Sequence, residues 1–168
     1  SMAESVFPFM IPFIADYLGK ELKPRSGEHI LMGGAPCYNI YETKDGKYVT
    51  LGMPVEPHFW QNFCKAVRRE DLIEKQYKKD AIAELRKLFK TRTRDEWMHE
   101  LLSKIECFAP MFELDEALSN NLVREKEVLM ELEHPSLGSV PIISVPSCIR
   151  GRKPEMDSPG LGEHTEEM

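Results

Sequence analysis

Hydrophobic and polar positions change rhythm several times along the chain. The first rhythm is a block: Val6-Phe7-Pro8-Phe9-Met10-Ile11-Pro12-Phe13-Ile14-Ala15 is apolar almost from the first residue, with two prolines inside it. A membrane-spanning helix needs about 18–20 uninterrupted apolar residues. A signal peptide wants a positive leading region, whereas the early charge here is Glu4. Two readings stay open: a helix packed on an apolar surface, or a segment cut out of a larger protein. Ser1, ahead of Met2, is set aside as an appended residue. Gly19 to His29 is polar and reads as an exposed hinge.

Next comes a turn signal, Met32-Gly33-Gly34-Ala35-Pro36, followed by aromatic and β-branched stretches at Tyr38–Tyr41 and Tyr48–Gly52. The Asp45-Gly46 pair between them accepts positive φ, so the segment predicts a two-stranded antiparallel hairpin. The rhythm then turns helical. Phe59, Trp60, Phe63, Cys64 and Val67 recur at helical spacing after Pro57, which suits a first turn. Ala81, Ile82, Leu85, Leu88 and Phe89 form a second stripe. Thr93-Arg94-Asp95-Glu96 is a capping box opening a third helix, with Trp97, Leu101, Leu102 and Ile105 on one side. Lys78, Lys79, Arg86, Lys87, Lys90, Arg92 and Arg94 interleave with these stripes and read as a solvated face. After a turn at Pro110, a short helix is expected near Asp115–Ser119. Strands are expected over 127–133 and 139–145, joined across His134-Pro135-Ser136-Leu137-Gly138. Residues 150–168 are rich in Pro and Gly and carry no period, so they read as an extended tail. The pattern amounts to an α+β fold: a small antiparallel sheet with packed helices and extended terminal arms.

Composition narrows the function classes. With 168 residues, 42% hydrophobic and 30% charged, the chain can bury a core without metal or disulfide staples. Its net charge of −6 argues against nucleic acid as a main partner, since phosphate neutralisation needs a basic face. Cysteines at 37, 64, 107 and 148 are far apart, with no Cys-x-x-Cys and no neighbouring His pair, so no metal site is expected. Reduced structural thiols in a cytoplasmic protein are the corresponding expectation. No nucleophile elbow, phosphate loop, zinc helix or dinucleotide fingerprint is present. Gly33-Gly34 fits either a tight turn or close backbone approach to a ligand. Adjacent residues rarely converge on one atom, so His58 reads as a helix-entry histidine rather than the partner of Glu56. His164 reads as a solvent-exposed tail residue.

Taken together, the pieces carry more. Gly33-Gly34-Ala35-Pro36, Tyr38 and Tyr41, Thr43-x-Asp45-Gly46, Gly52 and Glu56-Pro57-x-Phe59 stand in one order. Pro110 with Leu114-Asp115-Glu116-Ala117, Val123-Arg124, Glu133-His134-Pro135-x-Leu137-Gly138 and Leu161-Gly162-Glu163-His164-Thr165-Glu166-Glu167 follow. This order resembles the class III CoA-transferase family, which includes α-methylacyl-CoA racemases and carnitine dehydratase. The resemblance implies a larger two-domain α/β enzyme forming interlocked homodimers, with an acyl-CoA as substrate and no separate cofactor. It divides the chain into 1–29, a helix and linker leaving an absent large domain; 30–145, the small domain; and 146–168, a return arm. It implies that the acyl-accepting Asp of the transferases, or the proton-transferring His and Asp of the racemases, lies outside these residues, so the fragment alone would be inactive.

Glu56-Pro57-x-Phe59 resembles the racemase branch, where that carboxylate lies beside the catalytic His. Inverting a carbon α to a thioester requires removing a weakly acidic proton and returning it on the opposite face. A carboxylate can hold the participating His in one tautomer and raise its pKa. The resemblance gives Glu56 that role; the plain alternative is a solvent-facing residue at a helix start, favoured by the helix dipole. It matches Gly33 and Gly34 to a loop closing over the thioester and Tyr38 to a pocket-lining aromatic. CoA transfer between carboxylic acids, or a non-catalytic interaction domain, remain the alternatives.

Overall fold

Around Gly46, three hydrogen bonds close the first hairpin. Gly46 sits at φ +75°, donates its N–H to Thr43 O at 3.1 Å, and Thr43 N–H reaches Lys47 O at 2.8 Å. The Thr43 hydroxyl donates to Asp45 Oδ1 at 2.6 Å, which also accepts Arg94 N–H at 3.1 Å. Burial opposes ionisation of Asp45, but these bonds prevail and hold its carboxyl below the ordinary range. The turn thus aligns β1 (Tyr38–Glu42) with β2 (Tyr48–Gly52), Tyr38 opposite Gly52 and Glu42 opposite Tyr48.

The computed structural model describes residues 1–23, 25–134 and 136–143. It divides into two compact units, one covering Ser1–Met111 and the other beginning at Phe112. In the first, α1 (Met2–Val6), a 3₁₀ turn (Phe7–Met10) and α2 (Ile11–Lys20) make up the N-terminal arm. Pro8 and Pro12 each stand in the first turn of a new helical piece, where the missing N–H costs nothing. The arm buries none of its side chains; Phe9 and Leu18 are 81% and 74% exposed. Its fixed point is Asp16, whose Oδ2 bonds His29 Nε2 at 3.0 Å. Among the described residues no helix is long and apolar enough to cross a membrane.

The sheet is completed by a strand that the sequence pattern had presented as a turn. β3 (Phe108–Met111) pairs antiparallel with β2, giving the order β1-β2-β3. Pro110 is tolerated because β3 is an edge: Pro110 stands opposite Val49 at a position where its nitrogen faces outward and the ladder asks for no donor. Against one face of the sheet pack α3 (Pro57–Ala66), α4 (Asp80–Phe89) and α5 (Arg94–Leu101), with a 3₁₀ segment (Glu70–Lys75) between α3 and α4. Pro57 takes the first helical position as expected, and Thr93 and Glu96 form the capping box that starts α5.

Phe89 is the centre of this core. Its ring meets Tyr41 at 5.0 Å, Trp97 at 5.3 Å, Phe63 at 6.1 Å and Phe108 at 6.4 Å. Burial of side chains this large contributes about 1.5–3 kcal/mol each. Their polar ends are all met: Tyr41 O–H donates to Pro36 O (2.8 Å), and the Trp97 indole N–H to Phe89 O (2.9 Å). Arg94 departs from the expected solvated face. It is 5% exposed and its guanidinium donates to Met111 O at 2.9 Å, tying α5 to β3. Leu102 is exposed, because α5 ends one residue before it.

In the second unit, α6 (Leu114–Ser119) and α7 (Asn121–Glu125) precede a hairpin of β4 (Leu129–His134) and β5 (Gly138–Ile143). Asn120 caps α7, its side chain accepting Leu122 N–H at 2.9 Å; this second short helix was not expected. His134 Nδ1 accepts the N–H groups of Ser136 and Leu137, closing the hairpin where the His-Pro-Ser-Leu-Gly run predicts a connection. The expected return arm 146–168, with Cys148 and His164, lies outside the described residues.

Candidate functional site

Antiparallel pairing puts the start of β1 and the end of β2 at the same end of the sheet, so whatever precedes Tyr38 lies beside whatever follows Gly52. Residues 33–36 enter β1 and residues 53–56 leave β2. The chain entering β1 and the chain leaving β2 are joined directly, Met53 N–H donating to Cys37 O at 2.9 Å, while Gly52 N–H ties the end of β2 to Cys107 O, just before β3, at 2.9 Å. Gly33, Gly34, Tyr38 and Glu56 therefore belong to one end of the sheet, which sequence spacing alone does not reveal.

A 3₁₀ turn, Ile30–Met32, feeds the glycine loop, and Gly33 ends it at φ +81°. At Gly34 a Cβ would stand 2.1 Å from Glu28 O and 2.7 Å from His29 O, so the space a side chain needs is filled by the chain's own backbone. Gly34 N–H donates to His29 O at 3.0 Å. Asn39, absent from the sequence-based site, does much of the holding: its Nδ2 donates to Gly33 O at 2.8 Å and its Oδ1 accepts Ile40 N–H at 2.9 Å. An amide in a strand between aromatic and β-branched neighbours was the available signal, since such a residue disfavours the strand unless its side chain is used. Tyr38, 36% exposed, follows the loop, and its N–H donates to Ala35 O at 3.3 Å.

Glu56 precedes α3 as its N-cap residue, at φ −93° and ψ 102°. Its carboxylate does not cap the helix, and no hydrogen bond or ion pair reaches it from the described residues. It is half-buried, between exposed Val55 and Pro57. The loop before it is held by its carbonyls: Gln76 Nε2 donates to Met53 O at 3.1 Å and Tyr77 O–H to Pro54 O at 3.2 Å. His58, exposed on the first turn of α3, lies against Phe59 (ring centroids 4.2 Å apart), and no hydrogen bond or ion pair joins it to Glu56.

Two of the described thiols are not poised for chemistry. Cys37 and Cys64 are fully buried, and burial pushes them up to about 11 and about 12. Among the described residues no cluster of His, Cys, Asp and Glu could hold a metal ion. A surface cavity of about 830 Å³ lies elsewhere, lined by Lys44, Arg92, Glu96, His99, Glu100 and Lys104 among others. Arg92 pairs there with Glu100 and lies over the Trp97 ring, 5.0 Å from its centre.

A three-stranded sheet with helices on one face and two loops at one end defines a recognisable α+β lobe. A solved structure of a mutant of Rv3272 from Mycobacterium tuberculosis has the same fold, with TM-score 0.68 and 18% identity over 99% of this chain and 45% of that one. The chain matches CoA-transferase family III over residues 1–165, and it belongs to that family. Curated relatives include "Alpha-methylacyl-CoA racemase" of Homo sapiens, 26% identical over 170 aligned positions (93% of this chain, 43% of the racemase). The protein of that name in Mus musculus is 29% identical over 158 positions (90% and 40%). A CaiB/baiF CoA-transferase family protein of Caenorhabditis elegans is 30% identical over 118 positions (69% and 34%). The chain spans less than half the length of these relatives.

Proposed function

We propose that this chain works as the C-terminal part of a longer acyl-CoA enzyme with racemase-like chemistry. The reaction removes the proton α to the thioester of a 2-methylacyl-CoA, passes through an enolate-like intermediate, and returns a proton on the opposite face. Atoms balance without a cofactor, since one group takes the proton and another gives one back; the CoA thioester is the substrate. In this reading Glu56 orients a proton-transferring histidine from the rest of the polypeptide, the Gly33-Gly34 loop lies over the thioester, and Tyr38 lines the acyl pocket. The reading includes a cytoplasmic homodimer.

The observation that carries it is the state of Glu56. A half-buried carboxylate at a helix start, on a loop whose carbonyls are held by Gln76 and Tyr77, makes no bond with the described residues of its own lobe. A residue with a purely local capping task would use its oxygens on the first-turn N–H groups. The racemase relatives support the choice of reaction. The family name and the Caenorhabditis elegans relative favour a second reading, transfer of CoA between carboxylic acids, which would leave an acyl adduct on an aspartate outside this chain.

The test is α-proton exchange in deuterated water. The 168-residue chain alone gives none with a chiral 2-methylacyl-CoA, and exchange by it would overturn the assignment of the proton-transferring groups to the rest of the enzyme. In the longer enzyme Glu56→Gln lowers exchange by about 10²-fold or more, the scale of a lost acid–base contribution, with the melting temperature unchanged. An unaffected rate would point instead to a non-catalytic interaction domain.

A further inference from the structure

The structure assigns Gln76 and Tyr77 as positioning residues for Glu56; this rests on the reading of Glu56 just given. Among the described residues Glu56 has no side-chain bond, so its placement depends on the backbone either side of it, and both sides are anchored to one short stretch of chain, residues 70–77. Upstream, two successive carbonyls of the loop are each taken by one of two successive side chains: Met53 O by Gln76 Nε2 (3.1 Å) and Pro54 O by Tyr77 O–H (3.2 Å). Downstream, Trp60, one helical turn beyond Glu56, sends its indole N–H to Leu72 O (3.0 Å) and Ile73 O (3.1 Å) of the 3₁₀ segment.

That stretch is itself braced. Arg69, just before the 3₁₀ segment, and Lys75, its last residue, both pair with Glu84 on α4, Lys75 Nζ at 2.7 Å from it. Leu72 is fully buried in the core. Gln76 is one of the few polar side chains in the interior, at 8% exposure, and Met53, whose carbonyl it holds, donates its own N–H to Cys37 O. A buried amide is retained at a desolvation cost only where its bonds are used. Here the bond of Gln76 holds Met53, whose N–H in turn reaches Cys37 at the entry to β1, so this side chain braces the Glu56 loop where it meets the chain leaving the glycine loop. A misplacement of about 1 Å at a group that orients a reacting partner costs turnover rather than binding.

Tyr77→Phe and Gln76→Met separate this role from a general structural one. Tyr77 is 53% exposed, so losing its hydroxyl leaves the fold intact even if Gln76→Met does not fold. In the longer enzyme each variant lowers kcat about three- to tenfold, the equivalent of one hydrogen bond, with KM for the acyl-CoA unchanged. Added to Glu56→Gln, neither lowers kcat further, because the residues act through Glu56. Equal losses with and without Glu56→Gln, or a rise in KM alone, would overturn the assignment. A second readout does not need turnover. In the 168-residue chain, exchange of the Met53 amide quickens in both variants, while that of Thr43 at the far end of the hairpin does not. If Met53 exchange is unmoved the clamp is wrong, whatever Glu56 does; if Glu56→Gln leaves kcat intact while Met53 exchange quickens, the clamp stands and the proposed reaction falls.

Discussion

Replacing Gly34 by alanine tests the close approach at the glycine loop. The added Cβ would meet Glu28 O at 2.1 Å, Glu28 C at 2.4 Å and His29 O at 2.7 Å, all backbone atoms that cannot rotate away. The main chain must move, and moving it breaks the 3.0 Å bond from Gly34 N–H to His29 O. Overpacking costs about 1–3 kcal/mol and a lost buried bond adds about 1 kcal/mol, so the total is about 2–4 kcal/mol. Gly46 provides the control: its φ is +75° but a methyl group there would meet only open space, so Gly46→Ala costs about 1–2 kcal/mol from the left-handed backbone alone. Urea unfolding followed by tryptophan fluorescence reads this directly, because Trp60 and Trp97, at 1% and 3% exposure, both sit in the core of the first unit. With a slope of about 2 kcal/mol/M, the middle of the range for urea, Gly34→Ala lowers the midpoint by about 1–2 M. A midpoint lowered no more than by Gly46→Ala would refute the close-contact argument.

Three further outcomes follow from the geometry. Lys20 and then His29 hydrogen-bond the Asp16 carboxylate and hold it below the usual 3.8, so its contribution is present above that value and is lost as pH falls through the lower folded pKa. The difference in unfolding midpoint between the wild type and Asp16→Asn therefore shrinks as pH falls below 3.8; a difference that does not shrink there would contradict the pairing. Among the described cysteines, iodoacetamide at pH 8 modifies exposed Cys107 in the native chain and spares Cys37 and Cys64 until unfolding, as peptide mapping checks. Trp60→Phe, which frees the carbonyls of Leu72 and Ile73, destabilises by about 1–3 kcal/mol in the same urea experiment; a change under half of that would remove the downstream anchor of Glu56.

Much of this architecture was legible because local rules and tertiary packing agree. Asp45-Gly46 set the register of β1 on β2, Thr93 and Glu96 capped α5, and the apolar stripes of α3 and α4 became the buried faces. β3 was missed because Pro110 argues against a strand unless its neighbour on one side is solvent, and that depends on sheet order rather than sequence. Arg94 was assigned to the surface with the other basic residues; its burial depends on a carbonyl, Met111 O, brought from seventeen residues away. In the candidate site, Glu56 and the glycines stood out through a family-like order, whereas Asn39, Gln76 and Tyr77 did not. Their work is done through hydrogen bonds to backbone carbonyls, which leave no pattern in the residues they hold.

Pro110 also decides how the sheet can grow. A strand approaching the outer side of β3 needs a regular row of donors and acceptors, and at Pro110 the donor is missing. Intermolecular pairing along that edge would carry an unmatched carbonyl at every attempt, in any register that spans the proline. Among the described residues the sheet is therefore closed to regular extension along β3 by a single ring, which leaves β1 as the edge open to it.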